Sequence, residues 1–539
     1  MAPARLLPLA FALLCAAPAL ARVCGTQYLR QHAEKLALRR AKPSAAHQSA
    51  APVKVGTQEE FLVGGDVGLR PATCRYVGEY CYVFVDDTQW DTNGGFIYQS
   101  DVDSLGALFD DHTPADPQRG IFKLASSVFG APGDVDGDPR IYVLVLRLAD
   151  PRLVGYFDPQ VATYPDASLR RDTLYLSARH LRQNPYLARG TLAHELQHLI
   201  HFAHDDDEET WIDEGLSGYA ELLTGFPETD PEMVPQFLGS PDLDLTAWPP
   251  GDATPHYGAT YLFAAFLAER YGEDLLSWLV AEPRNGTGGL DQAFRAAGRV
   301  ESFAGAWGRW ILANYASDDD LYGYGALRGR RVEAIAAPPV PFDEVQGAIS
   351  SEWGSASVLF RAPGNLHVSF HGENAGRYRL WGYAMRGSSG QAVDVVLEDG
   401  TRGAFEVAGV DSLVVVVGRA SPQGRSFWLS GARYVPTVAA AGVGASPAAL
   451  RLQAAYPNPF NGRAVLCYLL PAAGDASLVL YDAAGQRVRQ LRQGWQEAGL
   501  HRVTWDACDQ EGRPAASGVY TAVLTTGAGQ RVERLTLVR

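Results

Sequence analysis

Residues 191–201 have the sequence TLAHELQHLIH, which places the pattern H-E-x-x-H inside a run with helical periodicity. His194 and His198 are four positions apart, so their side chains lie on one helix face with Cβ atoms about 5–6 Å apart. Both imidazoles can therefore reach one zinc ion at about 2.0–2.1 Å. Glu195 lies beside the metal, where it can take a proton from bound water. The pattern predicts two zinc ligands and a general base on one helix.

The next helical stretch, residues 211–221 with the sequence WIDEGLSGYAE, supplies a candidate third ligand. Glu214 follows His198 by 16 residues, a separation that allows a helix end, a turn and a returning helix. Two histidines and one glutamate leave zinc an open position, which is the arrangement of catalytic rather than structural sites. The alternative is that Glu214 is a solvated helix residue.

A competing interpretation concerns the longer pattern H-E-x-x-H-x-x-G-x-x-H, in which His204 would be the third ligand. That pattern needs a glycine for a sharp turn at the position where this chain has His201. Met233 is available for the accompanying Met-turn, but its neighbours do not match one. We therefore expect His201 and His204 to be helix-end residues favoured by the helix dipole. The acidic run at 205–209 is expected to be a solvated loop.

The stretches around the motif predict an α+β domain. Strand-like runs of β-branched and aromatic residues occupy 79–86 and 140–148, and a helical stretch at 102–111 separates them. Long helical patterns follow at 189–204, 211–224, 257–271 and 303–315. We expect this domain to span residues 55–340 and its second half to be mostly helical.

The sequence pattern changes from helical to strand-like after the proline-rich turn at 337–341. Short alternating strands at 357–360, 366–370, 393–397 and 412–417 predict a β-sandwich over residues 341–435. Residues 436–449, with the sequence PTVAAAGVGASPAA, predict a flexible linker. A second all-β module is expected at 450–539. With a length of 539 residues, the chain is therefore expected to be multidomain.

The N-terminus has the composition of an export signal. An apolar run from Leu6 to Leu20 ends in a small-x-small sequence at Ala21, which predicts a signal peptide over residues 1–21. The run is shorter than the roughly 18–20 residues that span a membrane, and no later apolar stretch of that length follows. Residues 22–54 predict a pro-segment or linker with one short helix at 28–40.

Charge and cysteine content limit the possible functions further. The formal charge of −15 excludes a generally basic surface for nucleic acid. Signal removal would take Cys15 and leave five cysteines. In an oxidising compartment Cys74 could pair with Cys81, and Cys467 with Cys508, although unpaired thiols remain the alternative in each case.

Two motifs together carry a resemblance to a known enzyme class. HELQHLIHF followed by WIDEGLSGYAE resembles the gluzincin metallopeptidases, and most closely the hyicolysin-type (M30-like) neutral peptidases. Similar stretches upstream and downstream extend the resemblance to about residues 55–320. The resemblance implies a zincin-type fold, Zn²⁺ bound by His194, His198 and Glu214, and Glu195 as general base. It also implies Tyr257 as donor to the developing oxyanion, although Tyr257 could equally pack as a core aromatic.

The last module carries a separate resemblance. The sequences AYPNPFN at 455–461, LVLYDAAGQRVRQL at 478–491 and VTWDACDQEGRPAASGVYTAVLTT at 503–526 are similar to FlgD Ig-like or type IX secretion-sorting domains of exported Gram-negative proteins. The resemblance implies a partner in the secretion or sorting machinery. It also implies a location outside such a cell or at its surface.

A further acidic motif, DVDGD at 134–138, has some features of a calcium loop. An EF-hand there would need glycine and glutamate where this chain has Pro139 and Val145. We expect a tight Asp-Gly turn that leads into the strand at Arg140, with Ca²⁺ binding as the alternative.

The sequence thus predicts an α+β zincin-type metallopeptidase domain followed by two all-β sandwich (Ig-like) modules. The predicted activity is secreted zinc endopeptidase activity on protein or peptide substrates, in which Glu195 assists attack by zinc-bound water. The alternative function is a catalytically inactive surface binding or adhesion protein built on the same domain.

Overall fold

The computed structural model describes the greater part of the chain. The described residues are 24–26, 53–64, 68–93, 95–164, 169–320, 322–387, 389–434, 450–452, 455, 458, 460, 464–470, 472–496, 499–527 and 529–538. The predicted signal peptide, the predicted helix at 28–40 and the predicted linker at 436–449 lie outside these residues, as does the side chain of Cys467. Among the helices of the described part, none has the length and apolar character required to cross a membrane.

A six-stranded sheet with the order β1-β2-β3-β4-β6-β5 forms one side of the first domain. Its strands are β1 (Gln58–Val63), β2 (Gly68–Val77), β3 (Cys81–Asp86), β4 (Ile141–Leu146), β5 (Gly155–Phe157) and β6 (Thr173–Ser177). β3 and β4 are parallel and fully buried, as expected for apolar strands covered on both faces. β5 pairs antiparallel with β6 and forms one edge of the sheet.

Eleven helices of the described residues follow or interrupt this sheet. They are α1 (Gln99–Asp110), α2 (Ile121–Phe129), α3 (Pro159–Ala162), α4 (Ala178–Gln183), α5 (Pro185–His204), α6 (Thr210–Leu223), α7 (Met233–Gly239), α8 (Thr254–Tyr271), α9 (Glu273–Val280), α10 (Gly286–Ala296) and α11 (Phe303–Tyr315). The predicted α+β character, with its helical second half, agrees with this order.

Helix α5 begins one turn earlier than the helical pattern suggested. Asn184 caps it by accepting a hydrogen bond from the backbone nitrogen of Leu187 at 3.3 Å, and Pro185 occupies the first helical position. Asparagine at the cap and proline directly after it are both favourable because the first helical N–H groups lack partners within the helix. The 20-residue helix buries its central residues between the sheet and α6.

Helix α6 packs closely on α8 because two of its residues lack side chains. A Cβ atom at Gly215 would lie 3.0 Å from the carbonyl oxygen of Thr260, and one at Gly218 would lie 3.2 Å from the Tyr261 ring. Larger residues at these positions would push α6 away from α8. The glycines therefore allow the close packing of α6 on α8.

The second domain is a β-sandwich whose sheets have the orders β13-β10-β15-β8 and β12-β11-β14-β9-β7. Its strands are β7 (Ile335–Ala336), β8 (Phe342–Ala348), β9 (Ser355–Phe360), β10 (Gly364–Gly372), β11 (Tyr378–Arg386), β12 (Ser389–Val395), β13 (Arg402–Val410), β14 (Ser412–Arg419) and β15 (Ser426–Arg433). The sandwich packs directly on α11, where Trp307 donates a hydrogen bond to the carbonyl oxygen of Trp353 at 3.0 Å. The strand expected at 393–397 ends at Val395 because the chain turns at Asp399 and Gly400, both with positive φ.

The C-terminal module has a sandwich core of its own. Its sheets have the orders β16-β17-β20 and β19-β18-β21-β22. The strands are β16 (Arg451–Leu452), β17 (Ala464–Leu470), β18 (Gly474–Tyr481), β19 (Arg487–Gln496), β20 (Gly499–Trp505), β21 (Gly518–Thr526) and β22 (Gly529–Leu537). Trp505 and Tyr468 lie at the centre of a core built from residues of this module. The molecule is thus a multidomain α+β chain with several β-sheets.

Candidate metal centre

Helices α5 and α6 bring the three predicted ligands together inside the first domain. Glu214 Oε2 lies 3.3 Å from Nε2 of His194, and Glu214 Oε1 lies 3.5 Å from Nε2 of His198. All three side chains are almost completely buried. Two imidazoles and one carboxylate therefore point at one small volume, which is the donor set that zinc accepts.

The atoms of this cluster fit a cation because other groups leave them unsatisfied. Both ring nitrogens of His194 and both carboxylate oxygens of Glu214 are buried without a hydrogen bond of adequate geometry among the described residues. Burial alone would lower the pKa of His194, but Cys24, Glu214 and Glu221 outweigh it and hold that pKa well above the ordinary value. The surroundings thus favour positive charge, and a divalent cation would supply it.

Other side chains of α6 contact the Nδ1 atoms of the two histidines and orient their rings. Glu221 Oε1 lies 3.0 Å from Nδ1 of His194, and Asp213 Oδ1 lies 3.1 Å from Nδ1 of His198. The Ser217 hydroxyl is also 3.1 Å from His198 Nδ1. A carboxylate that accepts a hydrogen bond from the second nitrogen of a ligating imidazole fixes the ring orientation and the tautomer. These residues were not predicted from the sequence, although Glu214 and Glu221 are seven positions apart and share a face of α6.

Glu195 lies beside the cluster and has two partners of its own. Its Oε2 atom accepts hydrogen bonds from the Thr26 hydroxyl at 2.7 Å and from the backbone nitrogen of Phe157 at 3.1 Å. Phe157 is the last residue of the edge strand β5. The carboxylate that the sequence assigns to proton transfer is therefore held at the junction of α5, the sheet edge and the N-terminal segment.

Cys24, a residue near the N-terminus, is the fourth member of the cluster, and it was not predicted from the sequence. Its Sγ atom lies 3.4 Å from Nε2 of His198 and 4.0 Å from Oε1 of Glu195. Ligand atoms of Cys24, His194, His198 and Glu214 all lie within 4.8 Å of one another. His198 follows Cys24 by 174 positions in the chain, so no local pattern could have indicated this contact.

Tyr257, the predicted oxyanion donor, lies at the edge of the same site. Its hydroxyl accepts a hydrogen bond from the backbone nitrogen of Cys24 at 3.3 Å, and its ring packs edge-on against Trp248. The ring is partly buried against the core, and the role of the hydroxyl as oxyanion donor stays a prediction.

The structure places the competing ligand His204 elsewhere. Its Nε2 atom lies 3.0 Å from the carbonyl oxygen of Ala131, and the side chain is exposed. His201 is buried, with Nδ1 3.0 Å from Asp213 Oδ1, so it contacts the α6 carboxylate that also faces His198. Both residues occupy the last turn of α5, as expected.

The expectation of a solvated acidic loop at 205–209 was wrong for two of its residues. Asp205 and Glu208 are 8% and 6% exposed. Glu208 accepts a hydrogen bond from the backbone nitrogen of Gly286 at 2.7 Å, and burial raises its pKa to about 7. For Glu208 the error arose because the first residue of α10, Gly286, contacts its side chain, and a charge run in the sequence does not reveal such a contact.

Two other predicted features have structural counterparts. The DVDGD segment forms the expected turn, in which Asp134 accepts a hydrogen bond from the Gly137 nitrogen at 2.6 Å. Asp134 and Asp136 lie beside Asp172 in an acidic group whose ligand atoms are within 4.8 Å of one another, and Ca²⁺ binding there stays an untested alternative. Cys74 and Cys81 are both free thiols buried in the sheet, which contradicts the pairing considered from the sequence. Adjacent strands β2 and β3 place them in the core without joining them.

Comparisons with known proteins find an Ig-like domain near the end of the chain and a partial similarity to a metalloprotease. Residues 461–530 match the FlgD Ig-like domain family, which confirms the Ig-like character expected there. Over 257 residues the chain is 23% identical to Neutral metalloprotease ShpI of Staphylococcus hyicus, covering 41% of this chain and 53% of that protein. The chain therefore spans about half the length of this relative.

Two solved structures show weaker likeness. PorZ, a surface component of the type-IX secretion system of Porphyromonas gingivalis, is 21% identical over 21% of this chain and 14% of its own, with a TM-score of 0.13. Latent PorU of the same organism is 16% identical over 39% of this chain and 22% of its own, with a TM-score of 0.16. Scores this low carry no argument about the fold or the function.

Proposed function

We propose that this chain is an exported zinc endopeptidase of the gluzincin type whose ligands are His194, His198 and Glu214. The observation that carries the proposal is the convergence of buried ligand atoms of His194, His198 and Glu214 beside the carboxylate of Glu195. Among the described residues, those of His194 and Glu214 have no hydrogen bond of adequate geometry. The resemblance to a neutral metalloprotease supports the same activity. Zn²⁺ held there would polarise a substrate carbonyl and lower the pKa of water.

Each residue around the site has a defined task in peptide hydrolysis. Glu195 takes a proton from the attacking water at Oε2 and delivers it to the leaving amine. The hydroxyl of Tyr257 donates a hydrogen bond to the oxygen that becomes negative as the carbonyl is attacked. Asp213 and Glu221 hold the rings of His198 and His194 in orientation. Burial of the cluster keeps these interactions strong.

Export rests on the N-terminal signal pattern, and a sorting role rests on the C-terminal module. The apolar run that ends at Ala21 supports passage through the secretory route, and the FlgD Ig-like domain supports recognition by secretion or sorting machinery. We propose a location outside a Gram-negative-type cell or at its surface.

The decisive experiment separates metal binding from proton transfer. In Glu195→Gln we expect zinc per folded chain to stay near the wild-type value, because Glu195 is not a ligand. Hydrolysis of a quenched peptide should fall by at least about 100-fold, because the amide cannot act as a base. The surface variant Glu232→Gln is the matched control and should behave like wild type. Both substitutions are made in the wild-type chain and also in a Cys24→Ala chain, because the Cys24 thiol lies among the candidate ligand atoms.

Near-wild-type turnover in Glu195→Gln would contradict the mechanism. If every chain bound metal and none of them hydrolysed the peptide, including the chains with an intact Glu195, the alternative of a binding protein built on an inactive peptidase domain would be favoured instead.

A further inference from the structure

Three N-terminal residues fill the space in front of the candidate metal centre. Cys24 is 3% exposed and Thr26 is fully buried, although both belong to a stretch that the sequence assigns to a pro-segment or linker. Neither residue has a task in the proposed hydrolysis. Their burial against Glu195 and His198 therefore needs an explanation of its own.

The thiol of Cys24 occupies the place of a fourth ligand. His194, His198 and Glu214 leave zinc one open position, which a catalytic site uses for water and substrate. The Cys24 Sγ atom is part of the same group of ligand atoms, all within 4.8 Å of one another. Thiolate sulfur is a strong zinc ligand, and four protein ligands make a closed site. Binding in this form releases the thiol proton to solvent.

Thr26 engages the general base at the same time. Its hydroxyl donates a hydrogen bond to Oε2 of Glu195 at 2.7 Å, and the Thr26 Oγ1 atom accepts one from the backbone nitrogen of Phe157 at 2.8 Å. Thr26 is thus joined to both the carboxylate and the edge strand β5. A sheet edge is where an extended polypeptide can add its own hydrogen bonds. The segment therefore obstructs the base and one end of this edge together.

Gly25 shows that the segment is fitted to this position. A Cβ atom at Gly25 would lie 2.5 Å from the carbonyl oxygen of Gly155 and 2.6 Å from Cβ of Tyr156. Both atoms belong to the edge strand β5 and have little freedom to move. The sequence Cys-Gly-Thr thus combines a metal ligand, a residue small enough to pass the strand, and a partner for the base.

We propose that residues 24–26 are an intramolecular inhibitor, in which Cys24 is the fourth metal ligand and Thr26 blocks Glu195. This inference rests on the proposed zinc peptidase function and adds a mechanism of latency. Export with cleavage after Ala21 would leave Cys24 in the chain. A cut between Thr26 and Val53 would separate residues 24–26 from the rest of the chain. The thiol would then no longer have the effective concentration of a tethered ligand, which is in the mM range.

The test uses the full exported chain, its Cys24→Ala variant and Cys508→Ala as the matched control. Cys508 is a free and partly exposed cysteine in the C-terminal module. Each protein is loaded with Co²⁺ in place of zinc, and the near-ultraviolet thiolate-to-cobalt absorption is recorded. We expect that band in wild type and in Cys508→Ala, and its absence in Cys24→Ala. In the zinc-loaded wild type, alkylation of Cys24 should be slower than in the metal-free chain.

Peptide hydrolysis gives the functional arm of the test. We expect Cys24→Ala to hydrolyse a quenched peptide at least about tenfold faster than the wild-type and Cys508→Ala chains, because a tethered ligand no longer competes with substrate. Gly25→Ala provides a second route, because it retains the thiol but cannot fit against β5. It should raise both the alkylation rate of Cys24 and the hydrolysis rate.

The outcomes distinguish the inference from the proposed function. Cobalt bound without a Cys24-dependent absorption band, together with equal hydrolysis in all chains, would overturn the inhibitor and leave the peptidase intact. Chains that bind neither zinc nor cobalt and hydrolyse nothing would overturn the proposed function and the inhibitor with it.

Discussion

At the scale of single residues, the third metal ligand separates two classes of metallopeptidase. Glu214 lies within 3.5 Å of both histidines, whereas His204 contacts the backbone at Ala131. For His204 to reach the site, α5 would have to break at His201, whose ring is buried against Asp213. The intact 20-residue helix therefore favours a carboxylate from α6 as the third ligand.

We predict that Glu214→Ala lowers zinc affinity by at least about 100-fold, since even partners outside the ligand set are worth about 10–100-fold. His204→Ala should leave the affinity unchanged, because its ring faces away from the cluster. Zinc per folded chain, measured by elemental analysis after dialysis against a weak chelator, checks both. Loss of zinc in His204→Ala with retention in Glu214→Ala would reverse the assignment.

The site shows which residues the sequence can and cannot indicate. The H-E-x-x-H spacing identifies its residues because one helix turn alone brings them together. Glu214 could be predicted from its position on the next helix, and this prediction required an assumption only about the turn between the two helices. Cys24 could not be predicted, since it reaches His198 across 174 positions and nothing local marks its destination.

At the scale of elements, the short helix α3 begins at a buried acid close to the site. Asp158 caps this helix by accepting a hydrogen bond from the Gln160 nitrogen at 3.0 Å. Burial raises the pKa of Asp158 to about 6, although the cap hydrogen bond acts in the opposite direction. Folding therefore favours the protonated acid. Stability is lost as pH rises from the unfolded pKa near 4 to the folded pKa.

We predict that Asp158→Asn stabilises the first domain at neutral pH, because asparagine keeps the cap and carries no charge. The gain in unfolding free energy should be small near pH 4 and reach at most about 3 kcal/mol above pH 7, given about 1.4 kcal/mol per pKa unit. Urea unfolding of both chains, followed by tryptophan fluorescence, measures the difference. A gain that does not grow between pH 4 and pH 8 would show that Asp158 is not buried as a neutral acid.

Element boundaries follow the sequence where periodicity is strong and differ where caps or turns decide. The helix predicted at 303–315 has the same limits in the structure, since a serine cap precedes a continuous helical pattern. The start of α5 was placed too late because an Asn-Pro pair, rather than apolar spacing, begins that helix. The burial of Glu208 was not predicted because its partner, Gly286, belongs to a separate element, α10.

At the scale of the whole molecule, the two β-sandwiches relate differently to the peptidase part. The middle sandwich shares a hydrophobic core with the helices, to which Val414 and Val416 of β14 contribute. Gly418 of β14 lies so close to Trp307 of α11 that a Cβ atom there would collide with the tryptophan ring. Removal of the sandwich would therefore expose this buried face of α11. The C-terminal module instead has a core formed by residues from Leu450 onward.

We predict that a chain ending before Leu450 keeps its peptidase activity but loses its sorting signal. The hydrophobic cluster of the module consists of described residues from Leu450 onward, so we expect the module to fold as a unit of its own. Because distant and independent sites change each other's energetics little, kcat/KM of the truncated Cys24→Ala chain should stay within about twofold of the full-length Cys24→Ala chain. Peptide hydrolysis by the purified proteins checks this, and the amount of each chain outside the host cell checks sorting. A truncated chain that folds but does not hydrolyse would disprove the independence of the module, and one that is exported like the full chain would disprove its sorting role.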